Sequence, residues 1–97
     1  MQEFIVHERM LVGAVDSFMA GIVHVRPYIA SDYRDALETL SEAWLASGGA
    51  NALAALDTDW LRNYLRRADE PAITEAALHE LFAWALKQQL ISHSPLS

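Results

Sequence analysis

Ala76-Ala77-Leu78-His79-Glu80-Leu81-Phe82-Ala83-Trp84-Ala85-Leu86-Lys87-Gln88-Gln89-Leu90-Ile91, closed by Ser92-His93-Ser94-Pro95-Leu96, is the stretch that decides the fold. Ala77, Leu81, Trp84 and Ala85 recur at spacings of three and four, with Ile73 a turn earlier, which places them on one side of a helix. Leu78, Phe82 and Leu86 form a second apolar row beside the first. A helix apolar over so much of its circumference is gripped from more than one side. Asp69 before Glu70-Pro71 suits an N-cap, with acid in the first turn and Pro near the first helical position. Lys87 suits the C-terminal end, and Pro95 bars continuation. The expected helix runs from about 70 to 89.

Upstream, Leu11, Val15, Phe18, Ile22 and Val25 recur at four, three, four and three, an amphipathic helix expected over about 4 to 24. Gly13 and Gly21 fall inside it and fit either close packing of another helix or a hinge. Arg26-Pro27-Tyr28 is a breaker, because Pro27 disfavours a helical Arg26 and lacks an N–H. Ser31 then suits an N-cap, with Asp32 in the first turn, for a helix over about 31 to 46. Its stripe is Tyr33, Leu37, Leu40 and Trp44, and Ser47-Gly48-Gly49 ends it. Asn51 to Leu56 is weakly patterned. Asp57 caps a third segment, about 58 to 67, with Asp59 in its first turn, Arg66 and Arg67 in its last, and Trp60, Leu61, Tyr64 and Leu65 as its apolar side. The fold class is all-α: a compact four-helix bundle in a single domain.

Composition narrows the function. The 97 residues carry 7 basic against 13 acidic side chains, a net charge of −6, and no cysteine. Disulfides and thiolate metal sites are therefore excluded. A surplus of acid opposes strong autonomous binding to nucleic acid. The N-terminus lacks a signal peptide's basic start and cleavage site, and no apolar run spans a bilayer, so the expectation is a soluble, cytoplasmic protein with no membrane partner. Gly48-Gly49 lacks the Lys-Ser or Lys-Thr of a phosphate loop. His7, His24, His79 and His93 are scattered without metal-ligand spacing, so no metal or cofactor is expected. Asp32, Asp35, Glu38 and Glu42 face away from the Tyr33-to-Trp44 stripe and form a solvated face. Arg62, Arg66 and Arg67 make the strongest basic cluster, suited to helix-dipole compensation or to phosphate contact.

The segment from Ala76 to Leu96 resembles the last helix and exit of the core-binding domain of tyrosine recombinases and phage integrases, which commonly reads A-A-L-S-x-x-F-x-W-A-V-x-x-G-L-I-x-x-N-P. Pro27, Tyr33-Arg34 and Leu37 are similar to that family's S-P-x-T-x-x-x-Y-R-x-x-L entry to its second helix, with Trp44 where an aromatic stands. Leu56-Asp57-Thr58-Asp59, Leu61-Arg62 and Tyr64-Leu65 resemble its L-T-x-x-D-L-R-x-Y-L helix. The three segments keep the family's order over about residues 10 to 97. Departures are Glu70, Ile73, Glu75, His79 and Glu80 around positions that usually hold Arg or Lys, Ile29 for Thr, and Ser94 for Asn.

The resemblance implies a SAM-like helical bundle that clamps duplex DNA, weakly when alone, and positions a separate catalytic domain of the parent chain for DNA integration or recombination. That catalytic domain would carry an Arg, a His-x-x-Arg and a nucleophilic Tyr, a constellation not found within residues 1–97. This domain is accordingly non-catalytic, and as an isolated unit it is expected to be monomeric. Carried across position by position, Arg34 and His79 are the groove-facing contacts, Arg26 and Lys87 the backbone contacts, and Arg62 and Arg66 further DNA-binding candidates. An alternative remains open: an acidic helical protein-interaction module that has lost DNA binding, with Leu78, Phe82 and Leu86 as an exposed apolar patch.

Overall fold

The computed structural model describes residues 9–96. Over them the chain forms α1 (Leu11–Val25), α2 (Pro27–Ala46), a single 3-10 turn (Leu53–Ala55), α3 (Thr58–Arg67) and α4 (Pro71–Lys87). The fold is the expected all-α bundle of four helices, with no strand among the described residues. α1 and α2 share the broadest contact, α4 packs across α2 and also touches α1, and α3 closes on α4. The Cα radius of gyration of 12.5 Å is that of a close-packed unit of this length.

The apolar stripes go where their spacing sends them, except that Val25, expected on the α1 stripe, is exposed at the last residue of α1, just before the Arg26 break. Leu11, Val15, Phe18 and Ile22 of α1, Tyr33, Leu37, Leu40 and Trp44 of α2, and Ala77, Leu78, Leu81, Phe82 and Ala85 of α4 form one core with Leu53, Leu56 and Leu61. Phe18 meets Trp84 edge-on at 6.0 Å, which brings the middle of α1 to the C-terminal half of α4. Among the described residues every buried side-chain polar atom has a partner. Ser41 donates to the Leu37 carbonyl at 2.7 Å and Thr74 to the Glu70 carbonyl at 3.0 Å, so two hydroxyls enter the helical core at no cost in lost hydrogen bonds.

Three boundaries differ from the sequence expectation. Met10 is extended (φ −73, ψ 145), so α1 begins at Leu11 rather than running unbroken from about residue 4; residues 4–8 of the expected span lie outside the described residues. The Val12 N–H is met by the Asn51 side chain at 3.3 Å, so the loop before α3 caps α1. α2 begins at Pro27, not after Ser31, because Pro at the first helical position gives up only an N–H that would lack a partner there. The whole break is one residue, Arg26 (φ −140, ψ 69), whose own N–H still closes α1 on the Ile22 carbonyl at 2.8 Å. The N-cap of α4 is Glu70 rather than Asp69, with Pro71 again at the first helical position. Asp57, in contrast, caps α3 as expected, accepting from the Trp60 N–H at 2.9 Å.

α4 ends before Pro95, and by a different device. Gln89 takes a left-handed conformation (φ 60); the Leu90 N–H bonds back to Ala85 at 2.9 Å and the Gln89 N–H to Leu86 at 3.1 Å. These two bonds are a Schellman closure. Beyond it, Leu90 is buried and Thr58 donates to the Pro95 carbonyl at 2.6 Å, pinning the exit to the start of α3. Since a side chain at positive φ is disfavoured, Gln89→Gly is expected to stabilise the fold by about 0.5–1 kcal/mol, read as a shift of the urea midpoint. Gly21 does not serve close packing: it is exposed, and an added Cβ would meet nothing within 4 Å. Gly21→Ala is therefore expected to stabilise by about 0.5–1 kcal/mol through helix propensity alone; a loss of stability would show that the position needs glycine.

Candidate nucleic-acid interface

Of the six cationic candidates, the bundle draws Arg26 and the His79 region of α4 together. Arg26 sits at the elbow between α1 and α2. Its guanidinium pairs with one Glu80 carboxylate oxygen, while the Tyr33 hydroxyl donates to the other. The Arg26 guanidinium carbon also stands 6.0 Å from the Tyr33 ring centroid, at the reach of a cation–π contact. Glu80 thus ties the elbow and the second turn of α2 to the middle of α4. Arg26 and Glu80 remain about one-third exposed, so the pair is open to water and to ligands.

The other candidates spread around this node. His79, next to Glu80 on α4, is exposed and faces Glu75 one turn earlier at 3.6 Å. Arg34 is exposed beside a shallow groove between α1 and α2 that it lines with Asp16 and Glu38. It is therefore not gathered with Arg26 despite being one residue from Tyr33. Lys87 is exposed in the last turn of α4, and Arg62 and Arg66 are exposed on α3. Arg34, Arg62, Arg66 and Lys87 make no ion pair with any described residue.

The opposite character marks the cleft between α2, α3 and the start of α4. Asp32, Asp35, Asp69 and Glu70 line this cavity of about 590 Å³, against Arg67 as its single cation. Arg67 turns its Nε–H to the Asn63 carbonyl at 3.3 Å. Trp60 and Tyr64, stacked at 5.3 Å, form its aromatic wall. The Tyr64 hydroxyl titrates above its ordinary value of 10.0, first because burial disfavours the phenolate and second because the Asp69 carboxylate repels it. Four carboxylates around one concavity repel phosphate, so a nucleic acid would have to approach elsewhere. Asp32, Asp35, Glu38 and Glu42 are all exposed, as expected of a solvated face, and Asp32 and Asp35 also line this cleft.

The patch expected from Leu78, Phe82 and Leu86 is not formed. Leu78 and Phe82 are fully buried, because α4 is gripped by the other three helices, and only Leu86 reaches the surface. Large apolar side chains are instead exposed at the elbow, where Val25 and Tyr28 flank Arg26 and Pro27. Sequence reasoning missed the Glu80 node; its one visible signal was an acid on α4 where the family pattern carries bases. Among the described residues no helix is long and apolar enough to cross a membrane.

Compared with known proteins, the chain matches no family model, no curated protein and no solved structure.

Proposed function

We propose that this domain is a DNA clamp of the tyrosine-recombinase type, which grips duplex DNA weakly and positions a catalytic domain on it. The observation that carries the reading is the meeting of the α1–α2 elbow with α4 through Arg26, Tyr33 and Glu80, since these are the segments that the resemblance assigns to the DNA. Gln89 adds support: it holds φ 60 at the position where the family pattern has glycine. Phosphate contacts from Arg26 and Lys87 set placement, and Arg34 and His79 supply contacts towards the groove, with Arg62 and Arg66 auxiliary. The acidic cleft keeps the duplex off the α2–α3 side, so binding is one-faced.

The test is a titration of labelled random-sequence duplex at low salt, repeated as salt rises. With four to six phosphate contacts, affinity is expected to fall about 10²–10³-fold between 50 and 200 mM salt. Amide shifts should gather near Arg34, His79 and Lys87 and vanish at high salt. Absence of binding even at low salt would overturn the clamp and favour the second reading, a protein-interaction module, for which the four-carboxylate cleft speaks.

A further inference from the structure

Glu80 is the one described residue that joins helices through an ion pair, and both of its oxygens are engaged, one by the Arg26 guanidinium and one by the Tyr33 hydroxyl. A carboxylate and a phosphate offer a guanidinium the same acceptor chemistry. Arg26 is held by the carboxylate and lies beside the Tyr33 ring, yet about a third of its side chain remains reachable from solvent. We infer that Glu80 is an internal competitor for phosphate: it occupies Arg26 in the free protein, and DNA engages Arg26 only by displacing it.

This inference rests on the clamp reading and assigns its regulation. A pair about one-third exposed is weak enough to exchange, so the carboxylate sets the affinity without abolishing it. Tyr33 gives the exchange a defined end state, because its hydroxyl remains bound to Glu80 after Arg26 has left. The elbow geometry lets this happen without disturbing a helix: Arg26 is the single non-helical residue between α1 and α2, and its side chain can turn while Pro27 keeps α2 in place.

The decisive comparison is Glu80→Gln against the wild-type protein, with Glu42→Gln as a control that removes the same charge from an exposed site bearing no ion pair. The Gln amide oxygen keeps an acceptor for Tyr33 while releasing Arg26. Glu80→Gln is expected to bind random duplex about 3- to 5-fold more tightly than Glu42→Gln at low salt, with a similar log–log salt slope, since Arg26 reaches phosphate in both. In the Arg26→Gln background the gain should disappear. Equal affinities for Glu80→Gln and Glu42→Gln, with the wild type binding, would overturn the inference and leave the clamp standing. No binding by any variant would overturn both, whereas binding by Glu80→Gln alone would support both. Should Glu80→Gln fail to fold, the Arg26 Nε–H resonance of the wild-type protein decides: it moves on DNA addition if the pair opens, and an unmoved signal under saturating DNA overturns the competition.

Discussion

Trp44→Ala is expected to destabilise the domain by about 3–5 kcal/mol, read from urea unfolding followed by helical circular dichroism. The indole is 8% exposed, two residues before the end of α2, and joins three separate pieces of chain. Its N–H donates to the Ala50 carbonyl at 2.8 Å, which fixes the loop after α2. Its ring meets Trp60 edge-on at 5.1 Å, and Trp60 in turn stacks on Tyr64, which seats α3. Truncation therefore leaves a void, an acceptor without its donor, and an aromatic row without its end. Against a total stability of about 5–15 kcal/mol for a domain of this size, the loss is a large fraction. A cost under about 1 kcal/mol would show that α3 and the loop hold their places without the indole.

The stripe that buries Trp44 was legible because periodicity is a local property: Tyr33, Leu37, Leu40 and Trp44 share a face in any helix, whatever lies opposite. The Asp57 cap was legible for the same reason, as its acceptor and donor are three residues apart. Pro27 was not, because one residue can end a helix or open the next, and sequence shows the breaking role more plainly than the opening one. The closure at Gln89 was hidden because the left-handed position carries no glycine to announce it. At the candidate interface the cations could be picked out by type, but their engagement could not. Tyr33 and Glu80 lie 47 positions apart, and only the packing of α4 across α2 brings them together. The acidic cleft was hidden likewise, since Asp32 and Asp35 meet Asp69 and Glu70 only through the placement of α3.

Gly49→Ala is expected to cost about 2–3 kcal/mol, by overpacking rather than by backbone strain. α2 closes with a Schellman motif in which the Gly49 N–H bonds to the Trp44 carbonyl at 3.0 Å and the Gly48 N–H to Leu45 at 3.1 Å. Gly48 carries the left-handed φ of 94 and faces open space, so Gly48→Ala is strained by conformation alone, by about 1–2 kcal/mol. Gly49 has no such φ, but a Cβ there would lie 2.1 Å from the Trp44 indole. The ring is poorly placed to yield, being bonded to Ala50 on one side and seated against Trp60 on the other. The two glycines should therefore respond differently when the indole is removed. In a Trp44→Ala background, Gly49→Ala should cost less than about 0.5 kcal/mol while the cost of Gly48→Ala persists, a coupling that a double-mutant cycle measures directly. If Gly49→Ala costs the same in both backgrounds, the glycine is required by the chain's own conformation and not by the tryptophan packed upon it.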